Sequence, residues 1–323
     1  SFKRDEMGGS TLPTENFTRI TAHPALPLAV LHFEKGAVAL MDFSKLLLTA
    51  PSPSSMLSAA AAASPDSMPS RQPTFPQVQK QEMLYNAKTN TVYKAIYNEC
   101  TVAFKVYRLA VNDQVLARAK AEESVWRNLN HTNVIKLIEV FQSERKFGLV
   151  LEYQPQNLSQ FYEKRALTDS ERKVITKDIA SGLHYLHSQH PAILHRDIRG
   201  TNILITDEGH AKLTDFGMSR TLREGVEEYI SESSTHSLPW QAPETYQNHH
   251  SEKTDVYALG MTIYEMTLCQ APFKGCNHIH DEVVNKRNLP SMPAGDVLEA
   301  LFQSCCKYDP EERPTAQQIL IPL

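Results

Sequence analysis

Residues 193–205 read ILHRDIRGTNILI, and this stretch decides how the rest of the chain is interpreted. A His-Arg-Asp triplet lies between two apolar runs of β-like character, and Asn202 follows Asp197 by five residues. Thirteen residues after Asn202 comes Asp215-Phe216-Gly217, and Ala242-Pro243-Glu244 follows further along the chain. One such motif alone is a weak signal, but several in one order are specific.

In order and separation these motifs resemble the signature set of the eukaryotic protein-kinase family. The resemblance covers about residues 82–323, includes the lone Lys105 of the run TVAFKVYRL, and says nothing about residues 1–76. It implies an α+β, bilobal fold, with a small β-rich N-lobe at about 77–153 and a larger α-helical C-lobe at about 154–323. It also implies ATP, Mg²⁺ and a protein substrate as partners.

The resemblance assigns chemical roles to single residues. Phosphoryl transfer depends mainly on positioning and on charge neutralisation. Asp197 matches the residue that takes the proton of the acceptor hydroxyl or orients it, and Lys105 matches the lysine that holds the α- and β-phosphates. Asn202 and Asp215 match the two metal-binding positions, and their oxygens suit the hard Mg²⁺ ion. Arg199 matches the basic position two residues after the catalytic aspartate.

Lys105 needs a carboxylate on the intervening helix to hold it in place. The stretch AEESVWRNLNH offers Glu122 and Glu123. Register against the following residues favours Glu122, nine residues before His131, and Glu123 stays open as the second choice. The alternative interpretation of Glu122 is a charge on a solvated helix face.

The resemblance also predicts an adenine pocket with a hinge beside it. The pocket residues are apolar, so the same positions are compatible with an ordinary core. The predicted set comprises Val92, Ala103 and Leu204 in the pocket, Leu151 at its back, and Glu152, Tyr153 and Gln154 in the hinge. In the scaffold, Arg313 matches the arginine that pairs with Glu244, and Asp255 and Gly260 match the helix that anchors the catalytic loop.

The family covers the phosphates with a glycine-rich hairpin, but no glycine occurs between Glu82 and Arg108. Alignment on TVYKA places Tyr85, Ala87 and Asn90 at the three glycine positions. Asparagine tolerates left-handed backbone geometry, so the turn is expected to persist. Without glycine the backbone approaches the phosphates less closely. We therefore expect weaker nucleotide binding rather than lost chemistry.

Runs of β-branched and aromatic residues in the first third of the catalytic region predict strands at TVYKAIY, TVAFKVYRL, NVIKLIEVF and FGLVLEY. A helix is predicted from Asn112 to about Leu129. After Gln154 the spacing becomes helical. One helix opens at Thr168-Asp169 with Glu171 in its first turn, and its apolar positions are Val174, Ile175, Ile179, Leu183 and Leu186. The stretch EKTDVYALGMTIYEMTL predicts a second, deeply buried helix.

The N-terminal residues have a different composition. In residues 1–48, two apolar runs around Glu34-Lys35-Gly36 predict a small β-hairpin, whose role the sequence does not assign. Residues 49–76 are rich in Ser, Pro and Ala and predict a disordered linker. The catalytic domain is expected to cover residues 77–323.

Composition narrows the functional classes. The chain has 323 residues, of which 41% are hydrophobic, and a formal net charge of −4. No long basic run suggests a nucleic-acid partner, and no apolar stretch is long enough to span a bilayer. The five cysteines lack the spacing of a zinc site and predict reduced thiols in a cytoplasmic protein.

The substrate hydroxyl is predicted less directly. Serine/threonine kinases usually carry lysine two residues after the catalytic aspartate and threonine before Ala-Pro-Glu; here Arg199 and Ser237 stand at those positions. This mixture fits the tyrosine-kinase-like group, whose members are mostly serine/threonine enzymes. The preferred prediction is a signalling serine/threonine kinase. Tyrosine or dual specificity, and a pseudokinase that acts as scaffold or switch, stay open.

Two regulatory expectations complete the interpretation. The segment between Gly217 and Ala242 is rich in Ser, Thr and Tyr, and Arg196 could pair with a phosphate placed there. The third functional class is a kinase-like domain that serves chiefly to tether a regulatory partner, recognised by residues 1–48.

Overall fold

The structure is a computed structural model that describes residues 17–22, 28–33, 38–42, 78–109, 113–143, 146–221, 237–321 and 323. The chain divides into two units, Ser1–Arg71 and Gln72–Leu323. In the first unit, strands β1 (Phe17–Ala22), β2 (Leu28–Phe33) and β3 (Val38–Asp42) form an antiparallel sheet in that order. The predicted linker, residues 49–76, lies outside the described residues.

The second unit begins with a five-stranded antiparallel sheet. Its strands are β4 (Gln79–Asn86), β5 (Asn90–Tyr97), β6 (Cys100–Tyr107), β7 (Leu137–Gln142) and β8 (Phe147–Glu152), in the order β4-β5-β6-β8-β7. Strand β6 is central, so Lys105 is paired on both sides, with Val92 and with Leu149.

Alternation along β6 sorts its side chains onto two faces. Val102 and Phe104 pack on one face with Ala95 and Val150 in a small core. The other face carries Lys105 and, two residues on, Tyr107, which belongs to the main core. The strand thus places Lys105 and Tyr107 side by side towards the interior.

Helix α1 (Asp113–Trp126) connects β6 and β7 and is slightly shorter than predicted. The predicted strand NVIKLIEVF is only half correct, since β7 begins at Leu137. The residues before it pair elsewhere: Ile135 N donates to Leu213 O at 2.9 Å, and Leu213 N donates to Asn133 O at 2.9 Å. These bonds tie the segment after α1 to the C-terminal lobe.

The C-terminal lobe is mainly helical. Its elements are β9 (Gln156–Asn157), α2 (Leu158–Lys164), α3 (Asp169–His187), β10 (Ile193–Leu194), β11 (Ile203–Ile205), β12 (Ala211–Leu213), β13 (Arg220–Thr221), α4 (Glu252–Leu268), α5 (Glu299–Cys305) and α6 (Ala316–Ile319). The short strands form two small sheets, β12-β11-β9 and β10-β13.

Helix α3 begins as predicted. Thr168 caps it, with Glu171 N donating to Thr168 Oγ1 at 3.3 Å and Thr168 N donating to Glu171 Oε2 at 2.9 Å. Four of the five predicted apolar positions, Ile175, Ile179, Leu183 and Leu186, are fully buried. Val174 is 38% exposed, because adjacent helical residues point about 100° apart and Ile175 already faces the core.

Helix α4 is apolar almost all round and lies in the centre of the lobe, as predicted. Asp255 near its start accepts from His195 N at 2.9 Å and from Arg196 N at 2.8 Å. A Cβ on Gly260 would lie 2.4 Å from Cys306 Sγ, so this position has no room for a side chain. Helix α4 therefore anchors the loop that carries Asp197. Within the described part of the chain, no helix has the length and apolarity needed to cross a membrane.

Candidate active site

The first part of the candidate site is a buried ion cluster around Lys105. Its Nζ lies 2.7 Å from Glu122 Oε1 and 2.9 Å from Asp215 Oδ1. Lys105 is 6% exposed and Glu122 is 4% exposed, whereas the Asp215 side chain is half-exposed. Glu123, the other predicted candidate, pairs instead with Arg127 on the exposed side of α1. The structure therefore brings Glu122, and not Glu123, to the lysine.

Burial and charge act in opposite directions on this cluster. Burial alone would lower the pKa of Lys105, but Asp215 and Glu122 outweigh it and hold that pKa well above its ordinary value. The pKa of Asp215 is lowered, chiefly by the charge of Lys105. Burial raises the pKa of Glu122. One cation is therefore shared by two carboxylates, of which Glu122 is the harder to keep ionised.

The second part of the site is the loop that carries Asp197. Arg196 has a left-handed backbone, with φ of 68°, and Asp255 holds its N–H. Asn202 Nδ2 donates to the Asp197 carbonyl oxygen at 2.8 Å and to Asp197 Oδ2 at 2.7 Å. Ser237 Oγ donates to Asp197 Oδ1 at 2.7 Å. Both carboxylate oxygens of Asp197 are thus held in fixed directions.

The two arginines of this loop have different surroundings. Arg199 Nη1 donates to Ser237 Oγ at 3.4 Å, and its Cζ lies 4.8 Å from the centroid of the Trp240 ring. Arg196 Nη2 lies 3.1 Å from His250 Nε2. Burial, helped by Arg196, lowers the pKa of His250 to about 4, so this imidazole is a neutral acceptor. The predicted phosphorylation segment falls largely on residues 222–236, outside the described residues.

The predicted hinge joins the two lobes through side chains. The Glu152 carboxylate lies 2.7 Å from Lys212 Nζ on β12 and accepts from Gln154 Nε2 at 2.9 Å. Lys94 Nζ lies 5.2 Å from the centroid of the Tyr153 ring. The predicted pocket residues Val92, Ala103 and Leu204 are partly buried, and Leu151 is 5% exposed.

A family model described as the protein kinase domain matches residues 79–321 of the chain. The chain belongs to the protein kinase family. Its relatives include mitogen-activated protein kinase kinase kinase A of Dictyostelium discoideum, 31% identical over 75% of this chain and 27% of the relative. Serine/threonine/tyrosine-protein kinase HT1 of Arabidopsis thaliana is 29% identical over 71% of this chain and 61% of the relative.

A third relative, tyrosine-protein kinase Shark of Drosophila melanogaster, is 35% identical over 60% of this chain and 21% of the relative. The chain thus spans between about a fifth and three fifths of the length of these proteins. The predicted resemblance to the tyrosine-kinase-like group is confirmed, and so is the bilobal fold.

The glycine-free hairpin of the kinase domain closes without special backbone geometry. Asn86 pairs with Thr91 across β4 and β5, and Ala87 N donates to Asn90 O at 2.9 Å. Of the three residues at glycine positions, Tyr85, Ala87 and Asn90, none has a positive φ. The left-handed tolerance expected to preserve the turn at Asn90 is therefore not used: strand pairing closes the hairpin, and Arg108 N adds a bond to Thr89 O at 2.8 Å.

The residues that match the metal positions, Asn202 and Asp215, have oxygen atoms suited to ligate a metal ion. Asn202 directs its amide nitrogen at Asp197, which leaves its oxygen as an acceptor, and the half-exposed Asp215 carboxylate is a hard ligand. Among the described residues no cluster of three or more His, Cys, Asp or Glu could hold a metal by itself. Mg²⁺ usually binds to one or two carboxylates together with substrate phosphates, so these residues fit an ion that arrives with the nucleotide.

One important residue was missed by the sequence interpretation. The buried Glu265 carboxylate accepts from Gly200 N and Trp240 Nε1, both at 2.9 Å, and from Tyr162 Oη at 3.0 Å. Ser159 Oγ donates to it as well, at 3.1 Å. Glu265 therefore joins α2, the Asp197 loop and the turn at residues 238–240 to α4. The available signal was a lone charge in the apolar stretch that follows Asp255.

We expect Gly200→Ala to destabilise the kinase domain. A Cβ at this position would lie 2.3 Å from Glu265 Oε1 and 2.6 Å from Ser159 Oγ, and moving either atom away would disturb the hydrogen bond between them. The expected cost is about 1–3 kcal/mol of unfolding free energy, measured by urea denaturation. The matched control is Thr201→Ala at the next, exposed position, which should unfold like the wild type; equal stability of both variants would contradict this account.

Proposed function

We propose that this kinase domain transfers the γ-phosphoryl group of ATP, bound with Mg²⁺, to a serine or threonine hydroxyl of a protein substrate in a signalling pathway. The observation that carries the proposal is the pairing of Lys105 with both Glu122 and Asp215 within 2.9 Å. A cation held between two carboxylates is ready to contribute its charge to the phosphates. The proposed setting is the cytoplasm, in keeping with five free thiols.

In this proposal the chain's own residues position the reactants. Asp197, with one oxygen directed by Asn202 and the other by Ser237, takes the proton of the acceptor hydroxyl or orients it as the new oxygen–phosphorus bond forms. The bond between the γ-phosphorus and the bridging oxygen breaks in the same transfer, and ADP leaves with its electron pair. Lys105 neutralises phosphate charge. Asn202 and Asp215 would hold Mg²⁺ bound with ATP, and the ion would supply further positive charge.

The preference for serine and threonine rests on the surroundings of Asp197. Ser237 donates to its carboxylate and accepts from Arg199, so a small hydroxyl side chain already sits at the proposed base. The relatives are named as serine/threonine, tyrosine and dual-specificity kinases, so tyrosine or dual specificity is the alternative among active enzymes.

The test is transfer of labelled γ-phosphate from Mg-ATP to the protein itself and to a mixed Ser/Thr/Tyr acceptor. Wild type should transfer label to serine or threonine, and Lys105→Met should lose the signal. Glu122→Gln should reduce the rate at least about tenfold, because it removes the charge beside Lys105. Glu123→Gln is the matched control, since its carboxylate pairs with Arg127 at the surface, and it should behave as wild type.

The second candidate function is a pseudokinase, and the glycine-free hairpin is the observation that favours it. Folded wild-type protein that transfers no label, with or without prior phosphorylation of residues 219–237, would decide for the pseudokinase. Calorimetry with Mg-ATP would then show whether it binds nucleotide. A regulatory partner recognised by residues 1–48 stays a proposal. A chain that starts at residue 77 and keeps full activity would count against the hypothesis that the kinase domain serves chiefly as a tether.

A further inference from the structure

Tyr107 makes a contact with Glu122 that none of the assigned roles requires. Its hydroxyl donates to Glu122 Oε2, while Lys105 holds Glu122 Oε1 at 2.7 Å. The two residues of β6 therefore divide the two oxygens of one carboxylate between them. Tyr107 is 5% exposed, so water does not compete effectively for this hydrogen bond.

The charges of the cluster show why a second partner for Glu122 matters. Lys105 is shared with Asp215, so the cation that pairs with Glu122 has another carboxylate at 2.9 Å. The Tyr107 hydroxyl stabilises the ionised Glu122 without adding a charge that Asp215 would attract. Burial raises the pKa of Tyr107 well above its ordinary value, so the phenol keeps its proton and remains a donor.

The ring of Tyr107 is held independently of Glu122. It packs edge-to-face on Phe147, with centroids 5.7 Å apart and an interplanar angle of 66°. Its backbone lies in the central strand, paired with Asn90 on one side and with Phe147 on the other. The sheet and the ring packing thus set the position of the hydroxyl, and the Glu122 side chain of α1 accepts its hydrogen bond.

We propose that Tyr107 is a positioning residue that holds Glu122, and with it α1, in the orientation where Glu122 reaches Lys105. This inference deepens the proposed phosphotransfer and rests on it for its catalytic consequence. The sheet side of the contact is rigid, so the hydrogen bond mainly restricts motion of α1. In a kinase domain whose hairpin lacks glycines, such a contact keeps the Lys105 side of the site assembled.

The direction of the pH effect follows from the donor. Activity needs the ionised form of Glu122. The enzyme is therefore active above the pKa of Glu122, and activity is lost as the pH falls through that pKa. Removing the hydroxyl raises this pKa further, which moves the acidic limb of the activity profile to higher pH. The titratable groups that face Glu122 are Lys105 and Tyr107 on β6 and Asp215 on the loop after β12.

The test uses Tyr107→Phe, which keeps the ring and its packing on Phe147. We expect kcat/KM to fall about tenfold near the acidic limb, and the limb to move to higher pH, because a donor to a buried charge is lost. The matched control is Tyr97→Phe on the same sheet, where the ring packs on Phe141 with centroids 5.8 Å apart. That variant should keep the wild-type profile. A Tyr107→Phe profile with an unmoved limb would overturn the proposal.

Hydrogen exchange of the α1 amides tests the same contact without activity. Tyr107→Phe should speed their exchange about tenfold in the wild-type background. It should add nothing in a Glu122→Leu background, where the hydroxyl has already lost its acceptor. Equal acceleration in both backgrounds would show a packing effect and refute positioning through Glu122. If wild type transfers no phosphate, this cycle still decides the role of Tyr107, while the proposed function alone falls.

Discussion

Asp197→Asn should lower kcat for phosphoryl transfer by about 10²- to 10⁴-fold, which is the range of a positioned general base. Asparagine has the same size as aspartate but cannot accept the hydroxyl proton. It also replaces one of two acceptor oxygens, so either the contact from Asn202 or the contact from Ser237 is lost. Steady-state kinetics at saturating Mg-ATP would measure the effect.

The control for this variant is Asp207→Asn, the same change at an exposed turn between β11 and β12. It should keep wild-type kcat. Circular dichroism and thermal unfolding would show that both variants are folded. An Asp197→Asn enzyme that keeps its rate would mean that Asp197 neither accepts nor orients the proton, and the assignment of the loop would be wrong.

Arg313→Met should cost about 3–5 kcal/mol of unfolding free energy, the range for breaking a buried ion pair. Arg313 Nη1 and Nη2 lie 2.6 and 2.8 Å from the two oxygens of Glu244. The same guanidinium donates to the carbonyl oxygens of Lys253, Lys307 and Tyr308 at 2.7 to 3.0 Å. Methionine fills much of the space but leaves the largely shielded Glu244 carboxylate without its partner and removes one donor from each of the three carbonyl oxygens. Urea denaturation would measure the loss.

The matched control is Arg165→Met. Arg165 also pairs with both oxygens of a glutamate, Glu171, but its side chain is 52% exposed. Water can replace that partner, so no measurable loss of stability is expected. A double variant, Arg313→Met with Glu244→Leu, should recover much of the single-variant loss, because no shielded charge is then left without its partner. Equal stability of wild type and Arg313→Met would show that the pair contributes nothing.

Local signals and ordered motifs allowed much of the fold to be predicted. Thr168 and Glu171 mark the start of α3 because a capping box depends only on residues three apart. The apolar run from Glu252 to Leu268 became the buried α4 as predicted. The Lys105–Glu122 pairing could be anticipated because β6 carries one lysine and the family resemblance places its carboxylate partner on the helix that follows, although Glu123 could be set aside only by the structure.

Contacts that join distant segments were not predictable in the same way. Glu265 receives donors from α2 and from two loops, and nothing in its neighbouring residues specifies those partners. Tyr107 gave a partial signal, because a residue two positions after Lys105 shares its face of the strand. Its partner depends on how α1 rotates against the sheet, and no local pattern determines that angle.

A small-molecule inhibitor that reaches under the β4–β5 hairpin would meet side chains there, where family members that keep the glycines offer bare backbone. Tyr85, at the first of the three glycine positions, is 61% exposed, so its side chain is open to a designed ligand. Selectivity is a difference between affinities, and it grows wherever the intended target offers a contact that its relatives lack. The hairpin thus offers a contact by which an inhibitor could distinguish this kinase from relatives that keep the glycines.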